Sequence, residues 1–340
     1  MKVIVDAMGG DNAPDAPVNG ALDALREFGV DIMLVGRGEE ILRAIERRGL
    51  SDLPRGVEIV NATEVIGNED DPAAAIRIKR DSSLTVALMH LRDGNGDALV
   101  SAGSTGAILS GATLIVKRVR GIRRAALAPV LPNGGKGFVL IDCGANTECT
   151  SEYMLQFAYM GSFYAEDVLK IDKPRVGLLN NGAEPTKGTP LQLEVYELLE
   201  KAGKNGSLLF VGNVEAKDAI RGACDVLVTD GFTGNILLKS VEGAASLIMS
   251  ELKGMFMTNN LTKLAALMMK KHIGGLKDKL SSDAVGGTAM LGIVKPVIKA
   301  HGSSNAVAIC NAIRQAAQAA GSNIAERLQD SITQMKLSDD

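Results

Sequence analysis

The chain has 340 residues and a formal net charge of -3, a near-neutral balance that argues against a general nucleic-acid binder. Aromatic residues make up 3% and Trp is absent, so the core must be aliphatic and few stacking platforms remain for single-stranded nucleic acid. Four cysteines form no C-x-x-C pair and three histidines lie far apart, so neither a metal site nor a bound cofactor is expected.

Met1 leads straight into an apolar strand without a secretory leader pattern, and no apolar run approaches the ~20 residues that span a bilayer; a cytoplasmic protein is expected. The first strand, Val3 to Val5, feeds a loop at Asp6-Ala-Met-Gly9-Gly10-Asp11 and a helix from about Pro14 to Phe28. Strands at Ile32–Val35 and Val57–Val60 flank a helix over Glu39–Arg48. An acidic stretch before Pro72 opens a helix that ends in Arg77, Lys79 and Arg80, both ends suiting the helix dipole. A helix at Leu84–Leu91 follows, then the buried strand Ala98–Val100, the loop Ser101-Ala-Gly103-Ser104-Thr105-Gly106 and a helix through Val116. Lys117 to Arg124 carries five cationic residues in eight. Leu127–Leu131 and Gly137–Ile141 read as paired strands across a turn, and Ser151–Leu169 as a long amphipathic helix. Strands at Val176–Leu179, Leu208–Val211 and Val226–Thr229 alternate with a helix at Leu191–Ala202.

After Asn235 the pattern changes to two long helices broken at Thr258–Asn260. Lysines outnumber acids from 251 to 280, and Met and Leu gather around the break. Such an arm must bury its apolar stripe, on a second copy of the chain or, at the tip, on a membrane surface. The expected organisation is an α/β core over 1–235 and 281–340 with the arm over 236–280. A last strand-to-loop unit runs through Pro296–Asn305, and one helix is expected from about Ser304 to Met335. The alternation predicts a parallel-sheet αβα sandwich.

Several strands thus end in Gly, Asp, Asn, Ser or Thr, and in a parallel sheet those ends share one edge, where ligands bind. Nucleotide fingerprints fail: Gly9-Gly10-Asp11 is not G-x-G-x-x-G, Gly36-Arg-Gly38 ends in Ile41, and Gly182 to Gly188 lacks Walker spacing. No G-x-S-x-G elbow is present. What remains is an anion site without its own nucleophile: backbone N–H groups, the hydroxyls of Ser101, Ser104, Thr105 and Thr233, the cation Lys187 and the amide of Asn235. Bound phosphate can itself be the attacking group.

Five stretches resemble the bacterial phosphate acyltransferase family along nearly the whole chain: Asp6–Asp11, Ser101–Ala107, Ala126–Pro129, Thr229–Asn235 and Val297–Ser304. The resemblance implies a fold similar to isopropylmalate dehydrogenase and phosphotransacetylase, and transfer of a fatty acyl chain from acyl carrier protein to inorganic phosphate for phospholipid synthesis. It implies catalytic roles for Lys187 and Asn235. The loop residues Asp6, Gly9, Gly10, Asp11, Ser101, Gly103, Ser104, Thr105 and Gly106 are then expected to bind substrate, with Asn146, Thr233, Gly234, His301, Gly302 and Ser303. It further implies a homodimer attached peripherally to the inner face of the membrane, where a membrane-bound glycerol-phosphate acyltransferase is a further partner. The carrier is acidic, so Arg118, Arg120, Arg123 and Arg124, or Lys270 and Lys271 on the arm, are docking candidates. Three rivals stay open: a phosphotransacylase using acyl-CoA, an NAD-dependent decarboxylating dehydrogenase, and a non-catalytic membrane scaffold.

Overall fold

The computed structural model describes residues 1–280 and 286–335. The expected start of the second core segment, 281–285, and the side chains of Lys271, Lys277 and Lys279 lie outside the described residues. From the N-terminus the chain runs β1 (Lys2–Asp6), α1 (Asp15–Phe28), β2 (Asp31–Gly36), α2 (Gly38–Arg47), β3 (Val57–Asn61), α3 (Pro72–Ile78), α4 (Ser83–Arg92) and β4 (Ala98–Ser101). Next is α5 (Thr105–Gly111), which continues as a π-helical turn over Ala112–Val116. Then come β5 (Ala126–Ala128), β6 (Val130–Leu131), β7 (Phe138–Ile141), α6 (Ser151–Asp167), β8 (Arg175–Leu179), α7 (Pro190–Lys204), β9 (Leu209–Val214), α8 (Ala216–Ile220) and β10 (Val226–Val228). The chain ends with α9 (Gly231–Phe256), α10 (Asn260–Leu280), β11 (Thr288–Leu291), β12 (Val297–Lys299), α11 (Ala306–Ala320) and α12 (Ile324–Asp330).

Among the described residues the strands form two sheets, ordered β3-β2-β1-β4-β12-β11-β5 and β6-β7-β10-β8-β9. Pairing is parallel except where β11 meets β12 and β5, and where β6 meets β7. The expected parallel α/β class therefore holds, in two sheets rather than one. Strands β1, β4, β7 and β10 carry Val, Ile and Leu on both faces because helices cover both sides.

Four expectations change. The stretch Leu127–Leu131 is not one strand paired to Gly137–Ile141. It divides at Pro129: Ala126–Ala128 pair with β11 in the first sheet, and only Val130 and Leu131 pair with β7 in the second. Pro129 has no N–H to continue a ladder, and its carbonyl accepts from Leu140 N–H at 3.0 Å. One residue thus hands the chain from sheet to sheet.

Helix α6 is buried nearly all round rather than amphipathic. Two of its polar side chains are paired inside the protein: Gln156 accepts from Arg123 N–H and donates to the Gly121 carbonyl, and the Tyr164 hydroxyl accepts from Gln315. The first arm helix begins at Gly231, not Ile236, because Asp230 caps it by accepting from Thr233 N–H at 2.8 Å. The single C-terminal helix is two, separated at Gly321–Asn323.

Helix α10 packs chiefly on α9. Leu261, Leu264, Leu267 and Met268 stay 57–81% exposed along it. No helix of the described residues is long and apolar enough to cross a membrane.

Candidate active site

The loops after β1, β4 and β12 come together because these three strands are neighbours running the same way. They are stitched to one another: Asp11 N–H donates to the Gly302 carbonyl at 2.8 Å, Asn12 Nδ2 to the Ser303 and Ser304 carbonyls, and Ala300 N–H to the Ser101 carbonyl at 2.9 Å. Gly10 has φ +95°, and a Cβ there would lie 2.8 Å from Ala102 Cβ and 2.9 Å from the Gly302 oxygen; only glycine fits both the conformation and the gap.

Two buried aspartates brace the two halves of the site. Asp6, at the end of β1, accepts from the Ser101 hydroxyl at 2.7 Å and from Met8 N–H at 3.2 Å, and Ser101 Oγ accepts in turn from Gly103 N–H. Asp142, after β7, accepts from the N–H groups of Leu127, Cys143, Ala145 and Asn146 and from the Asn146 amide. Burial lifts both carboxyls above the ordinary carboxylate range, while those hydrogen bonds pull the other way. Asp142 reaches across to β5 of the first sheet through Leu127 N–H, so it ties the two sheets together at the floor of the site.

Between the strand ends of the two sheets lies a cleft of about 620 Å³. Its polar lining includes Gly10, Asp11, Ser104, Thr105, Lys299 and His301. Its apolar lining comes from Val65, Ile66, Leu127, Val130, Leu131 and Leu238. Asn235, Lys239 and Glu242 descend from α9, where spacings of four and three residues put them on one helix face. Lys239 pairs with Glu242 at 2.8 Å. His301 Nδ1 lies 3.0 Å from the Ser303 hydroxyl and accepts from Ser303 N–H, so the neutral ring carries its proton on Nε2.

Cys143 is the thiol on the cleft wall. Its thiol is pushed up to about 12, by burial first and by the Asp142 carboxylate second, and it donates to the Gly234 carbonyl at 3.4 Å. A thiol so held stays protonated at neutral pH and is a poor nucleophile.

The residues expected at the site divide into three groups. Gly10, Asp11, Gly103, Ser104, Thr105, Asn235, His301 and Gly302 line the cleft. Asp6, Ser101 and Asn146 sit behind the loops with their polar groups committed to the chain itself, and Gly9 is pressed against Asp6 and Gly103. Gly106, Thr233, Gly234 and Ser303 do not line the cleft, and Lys187 is exposed on the loop after β8, outside the lining. The N–H groups of Gly231, Thr233 and Gly234 already have acceptors in Asn146, the Asp230 carboxylate and the Asp230 carbonyl, so this loop has fewer amides for an anion than expected. By contrast, the N–H groups of Ser104 and Thr105 have no acceptor among the described residues.

Lys239, Glu242, Lys299 and the apolar wall were not expected. Lys299 is a lysine at the end of an otherwise apolar central strand, which is itself a signal. Lys239 and Glu242 would have followed from starting the helix at Gly231. In the basic cluster, Arg123 pairs with Glu152 at 2.9 Å, Arg118 donates to the Arg123 carbonyl and Arg124 lies over the Tyr153 ring. Arg120 faces solvent, as does Lys270 on the arm.

A family described as fatty acid synthesis protein matches residues 1–327 of the chain. A phosphate acyltransferase from Oceanobacillus iheyensis is 48% identical over 317 residues, covering 93% of this chain and 92% of its own. Another, from Lactococcus lactis, is 43% identical over 338 residues, covering 98% and 99%. Among solved structures, a phosphotransacetylase from Streptococcus pyogenes matches with a TM-score of 0.65 at 18% identity over 94% of both chains, a likeness of fold.

Proposed function

The chain belongs to the fatty acid synthesis protein family and is an acyltransferase enzyme whose relatives are named phosphate acyltransferase; from that premise we propose that it moves a fatty acyl group from acyl carrier protein to inorganic phosphate, supplying acyl phosphate for phospholipid synthesis. The observation that carries this reading is the mixed lining of one cleft. Its polar lining has unpaired amides at Ser104 and Thr105, and its apolar lining is aliphatic. Phosphate suits the first and an acyl chain the second.

In this reading a phosphate oxygen attacks the thioester carbonyl. The new C–O bond forms, the C–S bond breaks, and the thiolate leaves with the electron pair and takes up the proton that the attacking hydrogen phosphate gives up. Cys143, held protonated, forms no acyl intermediate. Asn235 from the cleft and Lys187 from its exposed loop stabilise the oxyanion. Asp6 and Asp142 keep the loops in place and touch no substrate.

The carrier protein docks on exposed basic groups, Lys270 on the arm and Arg120 among them. The exposed leucines and methionines of α10 meet a second copy of the chain near the base and a membrane surface at the tip. The arrangement into a core and an arm is part of the same proposal.

The test is release of free carrier thiol from acyl-carrier protein on adding phosphate, with acyl-CoA run in parallel. Phosphate-dependent release from the carrier donor is expected. Release from acyl-CoA alone would reassign the donor, and no phosphate-dependent release from either would end the proposal.

A further inference from the structure

We infer that Lys299, at the end of β12, and Lys239, on the cleft-facing side of α9, form the cation pair that binds the phosphate co-substrate. This deepens the reading above and rests on it.

Both lysines line the same cleft, one from each side. Lys239 shares its charge with Glu242. Lys299 has no carboxylate partner among the described residues; its ammonium donates only to the Ala300 carbonyl. It is half-buried, and a lysine withdrawn from water without a carboxylate in ion-pair contact is costly unless an anion completes the site. Strand β12 lies directly beside β4, whose loop offers the unpaired Ser104 and Thr105 amides. Donors and cations thus converge at the first sheet's edge of the cleft, while the second sheet's loop amides at Gly231, Thr233 and Gly234 are occupied.

The charged groups facing Lys299 are Asp11 from the neighbouring loop and Lys239 and Glu242 from α9, with the His301 ring beside them. Burial first, then Lys239, pushes Lys299 down to about 8, with Asp11 pulling upward. At neutral pH the ammonium is therefore charged, and it loses its proton as pH rises through about 8. Phosphate held there should weaken over the same range.

The test combines phosphate titration calorimetry on the full chain without acyl donor with steady-state kinetics. Lys299→Met is expected to raise both Kd and KM for phosphate by about tenfold or more, with the donor KM little changed. Lys299→Arg should restore binding. The wild-type kcat/KM for phosphate, divided by that of Lys299→Arg to cancel phosphate's own ionisation, should fall with unit slope above about pH 8. Lys239→Gln, at an exposed position, should raise the phosphate KM by a smaller factor, about threefold. Folding of each variant is read by circular dichroism, and if Lys299→Met does not fold, the Lys239→Gln and Lys299→Arg arms decide. Unchanged phosphate affinity in the folded variants, or a rise confined to the donor KM, overturns the pair. Lysine-dependent phosphate binding in a protein that transfers no acyl group would remove the functional reading and leave the pair standing.

Discussion

Lys187→Ala is expected to slow acyl transfer about 10²–10³-fold at saturating substrates. Its thermal midpoint should barely move, because surface side chains away from special features change stability by about 0.5 kcal/mol at most. The backbone of this loop is fixed from several directions. Asn180 Nδ2 donates to the Lys187 carbonyl at 3.0 Å, Lys187 N–H donates to the Glu184 carbonyl at 3.1 Å, and Asn213 Nδ2 donates to the same Glu184 carbonyl at 2.8 Å. The ammonium itself is exposed, and no ion pair claims it among the described residues. A pinned base with a free tip suits a charged donor that must reach substrate, since holding the loop costs nothing at the moment of reaction. Asn235→Ala should lose a similar factor, its amide lying over Gly144 inside the cleft. If both groups serve one oxyanion, the double variant should lose less than the product of the two single losses. Measured kcat within about threefold of wild type for Lys187→Ala would remove it from the chemistry.

Most of the architecture was legible because parallel strands buried on both faces are short apolar runs ending in small polar residues, as at Val3–Asp6 and Ala98–Ser101. What stayed hidden depended on the third dimension. Pro129 reads as a turn residue in either case, and the sequence does not say that the chain changes sheets there. The polar residues of α6 read as a solvent face, although Gln156 and Tyr164 are paired inside the protein. At the site, loop composition pointed to the right sheet edge, but not to which amides are already taken. Asp230 looked like one more loop acid. As a cap it fills the first turn of α9, and that shift of start from Ile236 to Gly231 brings Lys239 and Glu242 onto the face that carries Asn235. Asp6 looked like a ligand group for a similar reason: an aspartate at a strand end serves either a substrate or the loop behind it, and only the hydrogen bonds distinguish the two.

Gly234→Ala is expected to cost about 3 kcal/mol or more of stability and to reduce acyl transfer about 10²-fold or further. A Cβ on residue 234 would stand 2.0 Å from the Asp142 carbonyl oxygen and 2.9 Å from Thr229 Cγ2. The first obstacle is backbone, so no rotamer change relieves it and α9 must move away from the end of β7. Asp142 cannot yield, because its N–H donates to the Thr229 carbonyl and its carboxylate holds five donors. Moving α9 would break the Gly231 N–H bond to the Asn146 carbonyl and the Cys143 bond to the Gly234 carbonyl. It would also withdraw Asn235 and Lys239 from the cleft, so stability and activity should fall together. Gly243→Ala on the same helix is the control: nothing lies within 4 Å of its added Cβ. There the gain in helix propensity should raise stability by about 0.5–1 kcal/mol with kcat unchanged. Denaturant midpoints and kcat for the two variants separate a general intolerance of α9 to alanine from a tight seat at its first turn; a Gly234→Ala protein as stable and as active as wild type would mean that α9 does not rest on β7 through this residue.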